Sequence, residues 1–190
     1  MFKNICLILV FSVLFANANE NNDKNNLWEA LKTDNHFAMI RHALAPGFGD
    51  PSNFKIDVRS TQRNLSNKGI SQAKHIGDMF RKNGINEAEV YSSQWFRCQD
   101  TAKNINLAKV RINQGLNSFF ENHADEKETV RYLNSWLKNK KINKPLLLVT
   151  HQVNISTLTG YYPSSGEIVV VKKEDDNSFK VVGTINTFSL

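Results

Sequence analysis

Two histidines each follow a short apolar segment, and arginine accompanies the first. The apolar run 37–40 ends in Arg41 and His42, and a second run, 146–150, ends at His151. Because open α/β sheets bind ligands beyond the carboxyl ends of their strands, we expect both histidines to face one site. Guanidinium groups make paired, charge-assisted hydrogen bonds to phosphate oxygens, and a neutral imidazole can attack phosphorus. The pattern therefore predicts phosphoryl transfer through a histidine.

A second arginine is expected at the same edge. Arg97 lies on a predicted helix that follows the predicted strand 89–93. Arginines and a second histidine can align and stabilise a transferring phosphoryl group without a metal ion. A zinc site on His42 and His151 is the alternative, but neighbouring arginines would repel a dication and no matching carboxylate pair is present. We therefore expect no metal and no cofactor.

Four segments resemble the histidine phosphatase superfamily, which includes the phosphoglycerate mutases. The similar segments are Arg41-His42-Ala43 (the Arg-His-Gly signature), 65–73 (the helix after it), 91–102 (Ser-x-x-x-Arg-x-x-x-Thr-Ala) and 149–151 (the second-histidine strand). Their order and spacing hold over about residues 36–171. Within the family, the chain most resembles small exported bacterial phosphatases that lack the mutase insertions.

The resemblance implies a role for each residue at the predicted edge. His42 would be the phosphorylated nucleophile, and Arg41, Arg97 and His151 would hold the transferring phosphoryl group. It also implies a phosphoglycerate mutase-like α/β fold, a three-layer αβα sandwich with a mainly parallel central sheet. The alternation of predicted strands and helices independently indicates such a sheet, covered on both faces.

Two positions depart from the family's pattern. Ala43 replaces the usual glycine, and it would be strained if the backbone there required a positive φ. The family often places a glutamate near positions 116–118, where this chain has none. A leaving alkoxide needs a proton donor, and Glu121 is the nearby candidate, whereas Asp125 is expected to cap the next helix. Without a donor, phosphohistidine or acyl phosphates would be the favoured substrates.

The missing glutamate leaves a second function open. The alternative is a catalytically weak or inactive phospho-ligand-binding protein on the same fold. Two further residues are substrate-binding candidates: Arg63, which is equally consistent with a solvated surface arginine, and Gln152, which could donate to a phosphoryl oxygen.

The first residues have the pattern of a secretory signal. Lys3 precedes an apolar stretch at 5–15, and 16–18 has the small-x-small form of a cleavage site. We predict a signal peptide over 1–18, a polar lead-in with a short helix over 19–35, and a histidine phosphatase domain over 36–190. A retained N-terminal anchor is the alternative. The mature protein would be periplasmic or secreted, without a stable membrane span.

The composition favours a small anionic partner. The formal net charge is +6 before cleavage, and the lysines are scattered rather than arranged in a stripe. This pattern suits a phosphorylated small-molecule substrate and gives little support to nucleic-acid binding. Only Cys98 would remain after cleavage, so no internal disulfide is expected. The sequence does not indicate an oligomeric state.

Overall fold

The computed structural model describes residues 26–188. The strands are β1 (His36–Arg41), β2 (Glu89–Ser92), β3 (Arg111–Ile112), β4 (Leu146–Thr150), β5 (Ile168–Lys173) and β6 (Phe179–Ile185). The helices are α1 (Asn67–Lys82), α2 (Phe96–Ile105), α3 (Glu126–Asn139) and α4 (Gln152–Thr159), with 3-10 helices at Arg59–Thr61, Gln114–Leu116 and His123–Asp125. Residues 26–30 are also helical. The signal peptide predicted over 1–18 lies outside the described residues.

The strands form one mixed sheet in the order β3-β2-β4-β1-β5-β6. The β3-β2, β2-β4 and β4-β1 pairs are parallel, whereas β5 and β6 form an antiparallel hairpin at the other side of β1. The register aligns Arg41 with Thr150 and Ser92 with Val149. As a result, β1, β2 and β4 all end at the same edge, which confirms the predicted mainly parallel sheet.

Side chains of the central strands alternate between two apolar cores. In β1, Ala38 and Ile40 pack with α1 and α2, while Phe37 and Met39 face the core that contains residues of α3 and α4. Burying one large apolar side chain contributes about 1.5–3 kcal/mol, so both helix layers are held firmly on the sheet. The predicted three-layer αβα sandwich is confirmed.

The region after α2 is less regular than the sequence pattern indicates. A strand is expected over 110–116, but the chain forms only β3 before the 3-10 helix at Gln114–Leu116. The reason is local: the Asn113 side chain accepts a hydrogen bond from the Gly115 amide at 2.9 Å, which caps the turn. Among the helices of residues 26–188, none is long and apolar enough to cross a membrane.

Candidate active site

A cavity of about 360 Å³ opens at the carboxyl edge of the sheet. The residues predicted from the sequence all line it: Arg41, His42, Arg63, Arg97, Glu121, His151 and Gln152. The two histidines come from the ends of adjacent parallel strands, so their shared position follows directly from the sheet register. The structure therefore brings the predicted set together, and the chemical role of each member depends on its contacts.

His42 is held in one tautomer by the backbone. Its Nδ1 lies 2.9 Å from the carbonyl oxygen of Ala43, and because a carbonyl only accepts, Nδ1 carries the proton. The Nε2 lone pair therefore remains available. Burial, and next the positive charge of Arg97, lower the pKa of His42 well below its usual value. His42 is neutral at neutral pH, which is the form that can act as a nucleophile.

Ala43 fits its position without backbone strain. Among residues 26–188, the non-glycine residues with positive φ are Asn35, Asn106 and Asn177, so Ala43 does not adopt the conformation that requires glycine. Its amide donates to the Thr101 hydroxyl at 2.9 Å, and that hydroxyl donates to the Arg97 carbonyl at 2.7 Å. The alanine therefore leaves the signature segment intact.

His151 presents a second neutral imidazole beside the first. Its Nδ1 is 3.5 Å from a guanidinium nitrogen of Arg97, which can only donate, so Nδ1 accepts and Nε2 carries the proton. That Nε2 proton is donated to the Ser93 hydroxyl at 2.9 Å. Burial, followed by the charge of Arg97, lowers the pKa of His151 well below its usual value. The ring centroids of His42 and His151 are 5.6 Å apart.

Asp50 is the site residue that the sequence reasoning missed. Its carboxylate accepts two hydrogen bonds from Arg97, at 2.8 and 3.0 Å, and both side chains are almost fully buried. It also accepts from the Trp95 indole at 2.9 Å and from the Arg63 amide at 2.8 Å. Asp50 therefore fixes the Arg97 guanidinium before any substrate arrives.

Two arginine nitrogens in the site are buried without a partner. The Nε atoms of Arg41 and Arg97 have no hydrogen-bond acceptor among the described residues. Arg41 is anchored through Nη1, which donates to the Pro163 carbonyl at 2.9 Å. Buried N–H groups are nearly always paired, so these two nitrogens are exceptions within the site.

The charges of the inner site match those of a phosphoryl dianion. Arg63 donates from Nε to the Gly49 carbonyl at 3.0 Å and from Nη1 to the Ala45 carbonyl, so it is built into the cavity wall rather than solvated. Burial, and next the charge of Arg97, lower the pKa values of Arg41 and Arg63 from their usual value. Arg41, Arg63 and Arg97 with the buried Asp50 carboxylate leave an excess of two positive charges, and the exposed Glu121 and Asp125 add two carboxylates at the outer part of the cavity.

The carboxylates at the outer part of the cavity differ in their contacts. Glu121 is exposed, and its carboxylate accepts a hydrogen bond from the Asp50 amide. Asp125 precedes α3, but its side chain accepts from the Asn122 amide group at 2.9 Å and makes no hydrogen bond to the helix backbone. The predicted capping role of Asp125 is therefore wrong, because its backbone is already helical (φ −83°, ψ −10°), whereas a capping residue is extended.

The segment 65–73 supports the site without lining it. The Gln72 side chain accepts from the Leu44 amide at 3.0 Å and donates to the Ser165 carbonyl at 2.8 Å. A Cβ on Gly69 would lie only 2.1 Å from the Leu44 carbonyl oxygen. The glycine therefore lets α1 approach the loop that follows His42.

The other metal-ligating and nucleophilic groups among residues 26–188 form neither a metal site nor a second nucleophile. Among residues 26–188, no group of three or more histidine, cysteine, aspartate or glutamate side chains is arranged to hold a metal ion. The Cys98 thiol is buried beside His151, and burial raises its pKa to about 12. It is therefore protonated at neutral pH and unsuited to nucleophilic attack.

Known structures share this fold at low sequence identity. The protein histidine phosphatase SixA, solved with tungstate, matches with a TM-score of 0.57 and 13% identity, covering 80% of this chain and 97% of that one. A phosphoserine phosphatase from Entamoeba histolytica, solved with phosphoserine, has a TM-score of 0.54 and 14% identity over 82% of this chain and 98% of that one. A mycobacterial glucosyl-3-phosphoglycerate phosphatase has a TM-score of 0.53 and 13% identity, covering 77% and 96%.

A search of curated proteins found no match to the sequence. The family model described as histidine phosphatase superfamily, branch 1, matches residues 38–131. The matched segment contains the Arg41-His42 signature and Arg97, and the sheet adds His151 at the same edge. Residues 38–131 therefore match the histidine phosphatase superfamily, and the comparisons together support a phosphatase enzyme.

Proposed function

We propose that the chain is an exported, metal-independent phosphatase that hydrolyses phosphate monoesters or phosphohistidine through a covalent phosphohistidine on His42. The observation that carries the proposal is the fixed tautomer of His42. Its Nδ1 proton is donated to the Ala43 carbonyl, so Nε2 keeps its lone pair in a cavity lined by three arginines. Neighbouring folds solved with phosphoserine and tungstate support an anionic phosphorylated substrate.

The first step transfers the phosphoryl group to the enzyme. Nε2 of His42 attacks phosphorus, the N–P bond forms, and the bond from phosphorus to the ester oxygen breaks. Arg41 and Arg97 line the cavity and stabilise the charge on the equatorial oxygens. His151, as the neutral tautomer donating to Ser93, adds no charge that would repel the attacking ring.

The leaving oxygen needs a proton in this step, and Glu121 is the proposed donor. It lines the same cavity as His42 and is exposed, so it can exchange its proton with solvent. In the second step, water attacks phosphorus, the N–P bond breaks, and a proton from the water returns to the carboxylate. Phosphate leaves, and His42 returns to its neutral form with the Nδ1 hydrogen bond unbroken.

The adduct on His42 provides the direct test. Brief reaction with a phosphorus-labelled ester, followed by rapid denaturation, should give an acid-labile adduct in the wild type and none in His42→Ala. The control is His75→Ala, which removes a histidine of α1 that does not line the cavity. An adduct that persists in His42→Ala would refute the nucleophile. Saturable binding of phosphate esters with no release of phosphate would instead establish the binding-protein alternative.

Export is tested separately from chemistry. The full chain should be processed in a bacterial host, and N-terminal sequencing of the protein from the periplasmic fraction should begin at Asn19. A cytoplasmic protein that retains Met1 would refute the proposed signal peptide. Metal independence predicts unchanged turnover after dialysis against a chelator.

A further inference from the structure

The mouth of the cavity carries two aromatic side chains that the proposed reaction does not use. Phe48 and Phe120 line the cavity together with His42, and they are 88% and 38% exposed. Their rings pack edge to face, with centroids 5.1 Å apart and planes at 84°. Exposed aromatic surface at the rim of a ligand cavity is characteristic of a binding surface, because a core would bury it.

The backbone holds Phe48 in this exposed position. Gly47 and Gly49 flank it with φ values of 95° and 66°, which a glycine adopts without steric cost. A Cβ on Gly49 would lie 2.6 Å from a carboxylate oxygen of Glu121, so the two segments are in close contact. Since Glu121 follows Phe120 directly, this contact keeps the two phenylalanines side by side.

A second aromatic pair extends this surface along the cavity wall. Phe54 stacks on Trp95, with centroids 5.2 Å apart and planes at 19°, and both residues line the cavity. The Trp95 indole donates to Asp50, which in turn accepts from Arg97. The aromatic lining is therefore joined to the arginine that is expected to bind the phosphoryl group.

The charges of the cavity disfavour a leaving group with its own negative charge. Among the described lining residues, the cations are Arg41 and Arg97, which are assigned to the phosphoryl group, and Arg63, which donates to backbone carbonyls of the cavity wall. The outer part carries Glu121 and Asp125, both exposed carboxylates. A second phosphate or a carboxylate on the substrate would meet these groups without a free cation to pair with.

We infer that the cavity selects phosphate esters whose leaving group is uncharged and aromatic, and that this group packs on Phe48 and Phe120. The inference rests on the proposed function, since it extends the same site. The cavity of about 360 Å³ lies at the small end of ligand pockets, which span about 300–1,000 Å³. A phosphoryl group and a small aromatic leaving group are the scale of ligand that such a volume accommodates.

Binding of phosphonates tests the inference independently of turnover, because their P–C bond is not hydrolysed. By calorimetry, the wild type should bind benzylphosphonate about tenfold more tightly than methylphosphonate. In the double variant Phe48→Ala, Phe120→Ala, this ratio should fall to less than about twofold. The affinity for methylphosphonate should be unchanged, which shows that the arginine site is intact.

An exposed aromatic residue elsewhere provides the control. Tyr132 of α3 is 52% exposed and does not line the cavity, so Tyr132→Ala should keep the wild-type ratio. Equal affinity of the wild type for both phosphonates would overturn the inference. A preference that survives in the double variant, or an equal loss of affinity for both phosphonates, would also overturn it.

Turnover separates this inference from the proposed function. Benzyl phosphate and 2-hydroxyethyl phosphate both release an alkoxide, so a difference in kcat/KM reports recognition more than leaving-group chemistry. The wild type should prefer benzyl phosphate about tenfold, and the double variant should not. If neither ester releases phosphate while the benzylphosphonate preference holds, the phosphatase proposal fails and the aromatic leaving-group site stands.

Discussion

Replacing Asp50 with asparagine should destabilise the protein far more than the same change at Asp100. Asp50 pairs with Arg97, with exposed side-chain fractions of 3% and 4%, whereas Asp100 pairs with Arg59, with 19% and 48%. Both are aspartate–arginine pairs, so the comparison isolates burial. An asparagine at position 50 also turns an amide N–H₂ towards donors, because both carboxylate oxygens accept hydrogen bonds from Arg97, Trp95 and the Arg63 amide.

The expected magnitudes follow from the two environments. Removing one partner of a buried ion pair costs about 3–5 kcal/mol, because it leaves a buried charge uncompensated. An exposed pair contributes about 0–1 kcal/mol. In a domain of this size, 1 kcal/mol shifts Tm by about 2–4 °C. Asp50→Asn should therefore lower Tm by about 6–20 °C, and Asp100→Asn by no more than about 4 °C.

Inorganic phosphate distinguishes a positioning role from a purely structural one. Loss of the Asp50 charge leaves three arginines in the cavity without a buried counter-ion. Phosphate should therefore stabilise Asp50→Asn more than it stabilises the wild type, while kcat falls because Arg97 is no longer held. Urea unfolding with and without phosphate measures the first effect. A loss below 1 kcal/mol in Asp50→Asn, or equal stabilisation of both proteins by phosphate, would refute the reasoning.

Three further predictions concern the acid, the helix contact and pH. Glu121→Gln should lower kcat/KM about 100-fold for alkyl phosphates and less than about tenfold for 4-nitrophenyl phosphate. The control variant Asp125→Asn should change neither value. An equal loss of kcat/KM on both esters would exclude Glu121 as the proton donor. In an ordinary helix, a glycine-to-alanine change is stabilising by about 1 kcal/mol. Gly69→Ala should instead lower the free energy of unfolding by about 1–3 kcal/mol, because the new Cβ would lie 2.1 Å from a backbone oxygen. Urea unfolding measures this change, and a gain in stability would contradict the contact. Burial, and next the charge of Arg97, hold the pKa values of His42 and His151 well below their usual value. As the pH falls below about 6.5, these histidines therefore take up protons in the unfolded chain before they do so in the folded protein. The free energy of unfolding should then be constant above that pH. At lower pH it should decrease by up to about 1.4 kcal/mol per pH unit for each histidine, and the contribution of His42 should be absent in His42→Ala. Identical pH profiles for the two proteins would contradict the neutral state of His42.

The sequence predicts the position of the site because that position depends on strand ends. The apolar runs before His42 and His151 are long enough to read as buried strands, and parallel strands of one sheet end at one edge. The position of Arg97 is predictable for the same reason, since its helix begins just after β2. The positions of His42, Arg97 and His151 are set by the local residue pattern and by the sheet topology, and they do not depend on details of side-chain packing.

Asp50 depends on relations of another kind. It lies in the long loop between β1 and α1, flanked by Gly49 and Pro51, where a solvated aspartate would look the same. Its burial is produced by Arg97, which is distant in sequence, and by the Trp95 indole. The pattern of residue types along the chain does not show which distant side chains will meet in the folded protein. The same limit applies to Ala43, whose amide donates to the Thr101 hydroxyl, a group distant in sequence.

The buried carboxylate changes how the site is expected to work. Three arginines alone would hold a phosphate product strongly, and each would depend on the substrate for its counter-ion. With Asp50 in place, Arg97 is fixed in the free enzyme, so little reorganisation accompanies binding. The remaining charge also matches a phosphoryl dianion rather than exceeding it. Asp50 thus favours a site that is preorganised for the transition state, and it also favours the release of phosphate. An entirely cationic site would release phosphate less readily.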